Sequence, residues 1–269
     1  MSLLTLYLIV SFVFGAIIGS FLNVCIYRIP ARQSILRPRS RCQRCLTALK
    51  WYHNIPIVSW AALKGKCAYC SAPVSYRYRL VETLNAILFA LFFYRFGAQA
   101  MTLVFWLLAA TLLVISFIDL DHQIIPDVIS LPGILVGFLC SFAIPWVSWQ
   151  SSLLGILFGG GSLLLIALAY EFMTKQEGMG FGDVKLLAML GAFLGWTSIF
   201  PIIFLGSILG TAVGIPLMLG NKAGRKLAIP FGPFLAGGAL IYVYFISFWY
   251  PRMHWYGEIF KDFWTSLFS

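Results

Sequence analysis

Charge is scarce in this chain. Charged residues fill 10% of its 269 positions, and only nine are acidic; a soluble domain carries roughly a quarter charged residues. A water-soluble fold with so little polar material could not hide 24 Phe and 9 Trp. The strand alternation of a membrane barrel is missing too, which excludes that architecture. No Asp-Thr-Gly or Asp-Ser-Gly triplet occurs, which excludes a pepsin-type protease. The apolar stretch Leu3 to Tyr27 has neither a basic leading region nor an Ala-x-Ala cleavage site, so it is expected to stay as a mature span.

What remains is overwhelmingly apolar, with 61% hydrophobic residues and a mean hydropathy of +0.90. Runs of about 20 apolar residues cross a hydrocarbon core of about 30 Å as helices, because only a helix satisfies its own backbone in lipid. The expected fold is an all-α polytopic membrane protein with about eight transmembrane helices, near 4–27, 81–96, 101–118, 128–147, 152–172, 184–199, 202–220 and 231–250. The boundary between the sixth and seventh is soft, and seven spans is the alternative. The chain divides into a first span (1–27), an insert (28–80), a helical core (81–250) and a tail (251–269). Aromatics alternate with polar residues in the tail (Trp255, Phe260, Phe263, Trp264), which reads as an amphipathic helix at the outer interface.

The insert sets the orientation. Arg28, Arg32, Arg37, Arg39, Arg41, Arg44, Lys50, Lys64, Lys66, Arg77 and Arg79 fall between 28 and 79, with no acid among them. Such a loop stays in the cytosol. The loops at 119–127, 173–183 and 221–229 then share that side, and the last carries Lys222, Arg225 and Lys226. The net charge of +10 is this positive-inside signature set against anionic lipid, not a nucleic-acid footprint.

The same insert holds Cys42-Gln-Arg-Cys45 and Cys67-Ala-Tyr-Cys70, separated by 21 residues. A two-residue gap lets both sulfurs of a pair reach one tetrahedral ion, so the four cysteines are expected to bind structural zinc. The metal would supply folding free energy that so small and basic a segment lacks. Two disulfides are the alternative, disfavoured in a reducing cytosol. His53 is expected to be a loop residue rather than a substitute ligand. Cys25 and Cys140 are expected to be buried small hydrophobes.

Four of the nine acids gather at cytosolic span ends: Asp119, Asp121 and Asp127 after the third span, and Asp183 at the start of the sixth, in Gly178-Met-Gly180-Phe-Gly182-Asp183-Val-Lys185. Ionisable groups near membrane depth are functional by default. Asp119 and Asp183 are expected at one height, and two carboxylates sharing a site do aspartic-protease chemistry: one takes a proton from water, the other engages the scissile carbonyl. A helix N-terminus favours an anionic Asp183 and a C-terminus disfavours an anionic Asp119. Gly180 and Gly182 keep the backbone bare where an extended peptide would approach. Asp121 is either a solvated loop residue or the rival of Asp119. Asp127, after Pro126, is expected to cap the fourth span. Glu82 pairs with Arg77 or Arg79, or lines a second site.

Taken in order, Gly19 through Pro30, the two Cys pairs, Asn54 through Trp60, Arg79-Leu-Val-Glu82, Asp119 through Asp127 and Gly178 through Lys185 resemble the type IV prepilin leader peptidases over nearly the whole chain. The resemblance implies cleavage of the basic leader of type IV prepilins and type II secretion pseudopilins after a Gly at the cytosolic face of the bacterial inner membrane. Asp119 and Asp183 match the catalytic positions. It also implies N-methylation of the new N-terminal residue with S-adenosylmethionine, a site that the residues alone do not yield, since no Rossmann-type glycine loop is present. A presenilin-like intramembrane protease would share the Gly-x-Gly-Asp signal without the cysteine insert. A proton-coupled transporter would place its acids at mid-membrane. A zinc-bound scaffold would leave the paired acids unexplained.

Overall fold

The computed structural model describes residues 2–42, 44–143, 147–175, 180–220 and 229–245. The expected amphipathic tail lies outside them, as do Gly178, Met179, Lys222, Arg225 and Lys226. Each of the eight expected segments overlaps an α-helix, with the ends of 128–147 and 231–250 lying partly outside the described residues, and no extended sheet occurs among the described residues. Two units compose the chain, Met1–Ser130 and Leu131–Ser269.

The first unit contains α1 (Leu3–Arg28), a one-turn α2 (Val58–Ala62), α3 (Tyr76–Phe96) and α4 (Ala100–His122). Ser2 caps α1 by accepting the Thr5 N–H at 3.2 Å. Gly15 and Gly19 let α1 press its backbone on α3. A Cβ on Gly19 would stand 2.7 Å from the Glu82 Cα, and one on Gly15 2.8 Å from the Ala86 Cα. That small-x-x-x-small contact is the usual way for helices to pair in lipid, where burying apolar surface gains little. Asn85 adds a buried bond to the Gly15 carbonyl at 2.7 Å. On the other side of α3, Phe89 stacks on Trp106 of α4 at 4.7 Å, and the indole N–H donates to the Phe89 carbonyl. Leu22, Val81, Val114 and Ile118 complete a buried cluster among the three helices.

α3 starts five residues earlier than its apolar run. Its first turn, Tyr76 to Arg79, is polar, so hydropathy cannot see it; Ser75 starts it by accepting the Arg77 N–H.

The second unit contains most of α5 (Asp127–Ala143), with α6 (Trp149–Thr174), α7 (Phe181–Leu194), α8 (Ile199–Gly220) and α9 (Gly232–Tyr244). Asp127 is the first residue of α5 rather than its cap. Pro126 precedes it, and its carbonyl accepts the Ile129 and Ser130 N–H groups. Backbones touch again between α6 and α7, where a Cβ on Gly191 would lie 2.1 Å from the Gly155 carbonyl oxygen. Ser152 donates to the Ala192 carbonyl across the same seam at 2.7 Å. Gly133 and Gly137 seat α5 on Met189 and Phe193 of α7. Gly206 and Gly238 do the same between α8 and α9. α7 is thus the enclosed helix of its unit, buried from Leu186 to Leu194. Gly195, at φ +80°, turns the chain into a short 3-10 segment before α8, so the sixth and seventh expected segments are separate helices.

Among the described residues, four stretches are long and apolar enough to cross a membrane: Leu3–Arg28, Ala100–His122, Trp149–Thr174 and Trp196–Met218. Leu165, Phe172 and Phe200 stand exposed, as lipid-facing side chains would.

Candidate active site and metal cluster

The insert folds as two copies of one turn. In the first, Cys42 donates its N–H to the Thr47 carbonyl and accepts that of Leu46, and Arg41 bridges to Ala48. In the second, Cys67 donates to the Ala72 carbonyl and accepts from Ser71, and Lys66 bridges to Pro73. The residue after each second cysteine has a left-handed backbone, Leu46 at φ +58° and Ser71 at φ +55°. That conformation curls each Cys-x-x-Cys so that both sulfurs face inward. All four Sγ atoms lie within 4.8 Å of one another, and those of Cys42 and Cys70 are 3.8 Å apart. No disulfide occurs among the described residues; the thiols are free, and the four together could hold a metal ion.

The thiols differ in acidity. Hydrogen bonds from the Thr47 hydroxyl and N–H pull Cys45 down to about 6. The N–H groups of Cys70 and Tyr69 lower Cys67. The Ala72 N–H also favours the Cys70 thiolate, but desolvation and its bonds to the other three sulfurs push Cys70 up to about 11. His53 packs edge-on against Tyr52 and Tyr69 and is not in the cluster. Cys25 is buried within α1, as expected, whereas Cys140 is only half-buried.

The insert is fastened to the helices at the start of α3. The Glu82 carboxylate accepts the Ile57 N–H at 2.8 Å, so its partner is a backbone amide rather than Arg77 or Arg79. Arg79 instead lies over the Trp60 and Tyr76 rings, at 4.7 and 4.9 Å. Asn23 of α1 donates to the Tyr78 carbonyl at 3.0 Å, and Arg28 donates to the Ser34 and Pro38 carbonyls. Arg77 forms an ion pair with Asp121.

The two rivals in α4 therefore have different surroundings. Asp119, in the last turn, is 5% exposed, and its carbonyl accepts the N–H of Gln123, which closes the helix in a left-handed conformation. Asp121 is exposed and held by Arg77. In the second unit Asp183 is the third residue of α7, half-buried, with its N–H on the Gly180 carbonyl at 3.1 Å. Lys185 follows in the same turn, half-buried. Gly180 has φ −69°, which any residue can adopt, and a Cβ there would meet nothing closer than 3.9 Å. Neither conformation nor packing within the described residues demands its glycine.

Comparison with known proteins gives a consistent picture. The profile of the bacterial peptidase A24 N-terminal domain matches residues 13–96, and that of the type IV leader peptidase family matches 106–215. The prepilin leader peptidase/N-methyltransferase of Myxococcus xanthus is 41% identical over 222 residues, covering 82% of this chain and 66% of that protein. Proteins of the same name from Pseudomonas aeruginosa and Neisseria gonorrhoeae are 37% and 35% identical, covering 82% and 90% of this chain and 84% and 92% of their own lengths. No solved structure matches the chain.

Proposed function

The chain belongs to the type IV leader peptidase family, and on that premise we propose that it removes the leader peptide of type IV prepilins and methylates the new N-terminus. The carrying observation is that both family profiles match in order, over 13–96 and 106–215, spans that contain the four cysteines and both acids. Presenilin-like and transporter readings leave the cysteine cluster without a place.

Asp119 and Asp183 are the catalytic pair in this reading. Burial of Asp119 within a closed helix end supports it over Asp121, whose carboxylate Arg77 already neutralises. Two acids that share one proton divide the work of peptide hydrolysis: the carboxylate deprotonates the attacking water while the carboxylic acid donates to the carbonyl oxygen, and the proton then passes to the leaving amine. Gly180 and Gly182 leave room for an extended substrate backbone beside Asp183. Lys185 supports the same turn. A prepilin keeps its basic leader in the cytosol and its apolar helix in the bilayer, so a site at cytosolic span ends meets the scissile bond after Gly. In this reading the enzyme lies in the bacterial inner membrane with about eight spans, and its active site faces the cytosol. Type II secretion pseudopilins share the substrate chemistry.

The four-thiol cluster fits zinc. A Zn–S bond of about 2.3 Å gives a tetrahedral edge of about 3.8 Å, the separation of the Cys42 and Cys70 sulfurs. With four protein ligands the site is closed, so Cys42, Cys45, Cys67 and Cys70 would hold the ion as a structural element. S-adenosylmethionine supplies the methyl group, and its contacts in this chain are unassigned.

The test is direct. Purified enzyme in liposomes is incubated with a prepilin, with and without S-adenosylmethionine, and the product is weighed by mass spectrometry. Cleavage after the leader Gly, with one methyl added only when the donor is present, is the expected result. An intact prepilin with folded enzyme would refute the reading.

A further inference from the structure

We propose that Arg77 is a positioning residue that sets the rotation of the last turn of α4 and thereby aims Asp119; this rests on the reading of Asp119 as catalytic.

The guanidinium grips α4 at three points. One terminal nitrogen donates to the Asp121 carboxylate, the other to the Phe117 carbonyl at 2.7 Å, and the guanidinium carbon lies over the Phe117 ring, 4.9 Å from its centre. At about 100° per residue, Phe117 and Asp121 emerge on one face, about 40° apart. Asp119, about 200° round from Phe117, emerges nearly opposite. A grip on one face at two successive turns therefore fixes the angular setting of the residue on the other.

The grip acts within the last two turns of α4, next to the end where helices tend to fray. The chain leaves α4 at once through Gln123 in a left-handed conformation. A cation beside the C-terminal carbonyls also opposes the helix dipole favourably. Arg77 is itself anchored: its N–H reaches the Ser75 cap, and the next carbonyl, of Tyr78, accepts from Asn23 of α1. The setting of Asp119 is thus referred to α1 and α3. A lysine cannot reproduce the contact, because a single ammonium lacks the planar fork that serves a carboxylate and a carbonyl while stacking on a ring. Misplacing a catalytic group by about 1 Å costs about 10²-fold in rate.

The experiment compares Arg77→Ala, Arg77→Lys and Asp119→Asn in liposomes. It reads kcat and KM for prepilin cleavage alongside metal content and thermal midpoint. Arg77→Ala is expected to lose about 10²-fold in kcat with little change in KM, Arg77→Lys to remain well below wild type, and added guanidinium, but not methylammonium, to restore part of the Arg77→Ala rate. Should Arg77→Ala fail to fold, Arg77→Lys carries the test on the same kinetic split. An unchanged kcat in a folded variant, a loss confined to KM, or equal rescue by methylammonium would overturn the assignment. Asp119→Asn separates the two levels: if it cleaves normally, the reading of the site itself is wrong, whatever Arg77 does.

Discussion

Glu82 in α3 holds the backbone of Ile57, 25 residues earlier in the chain, by accepting its N–H at 2.8 Å. Ile57 has φ +62° and ψ −50°, with the Val58 N–H on the Pro56 carbonyl. That is a tight turn a β-branched residue rarely adopts and one that persists only where its surroundings enforce it. Ser20 of α1 hydrogen-bonds the same carboxylate.

Glu82→Ala should therefore loosen the insert from the helices. Leaving the amide without its acceptor costs about 1–3 kcal/mol. A lower thermal midpoint and faster amide exchange at residues 55–60 are expected, while Glu82→Gln, which keeps an acceptor oxygen, stays close to wild type. Equal loss in both variants would show that the negative charge matters, not the bond.

Metal retention should depend on pH with a definite sign. Thiolates bind the ion and thiols do not. In the metal-free cluster Thr47 holds Cys45 down to about 6, so protons compete less for this ligand as pH falls, and a bound metal would hold it deprotonated to lower pH still. Thr47→Val removes the hydroxyl and raises the Cys45 thiol toward its ordinary range. Metal release on acidification, followed with a colorimetric chelator, is expected to begin at higher pH in the variant. Release at the same or a lower pH would contradict the role given to Thr47.

Much of this was legible in the residues, for reasons that also mark where reading stops. Apolar runs announce helices because lipid admits little else, and a repeated Cys-x-x-Cys announces a metal cluster because its spacing is coordination geometry. The polar first turn of α3 escaped, since hydropathy registers lipid contact and not helicity. The partner of Glu82 escaped because an acid among arginines suggests an ion pair, whereas the structure pairs it with a backbone amide that only the fold brings near. The link from Arg77 to Asp121 spans 44 residues and has no local signature. The different surroundings of Asp119 and Asp121, one buried and the other paired with Arg77, come from the fold and have no local signature.

The helix seams make a matched prediction. A Cβ on Gly191 would sit 2.1 Å from a backbone oxygen that cannot turn aside, whereas one on Gly161 would meet nothing within 4 Å. Gly191→Ala should cost at least about 1–3 kcal/mol through forced separation of α6 and α7. Gly161→Ala should be neutral or gain up to about 1 kcal/mol in helix propensity. Thermal midpoints in detergent separate the two; similar values would refute the close packing of α6 on α7.

Asp119 and Asp183 are the proposed catalytic pair. Prepilin cleavage by purified enzyme should be measured with Asp119→Asn, Asp183→Asn and Asp121→Asn side by side, with metal content as the folding control. Loss of detectable cleavage in the first two, and partial activity in the third, is the predicted result. Normal cleavage by either Asp119→Asn or Asp183→Asn, or abolition by Asp121→Asn alone, would contradict it.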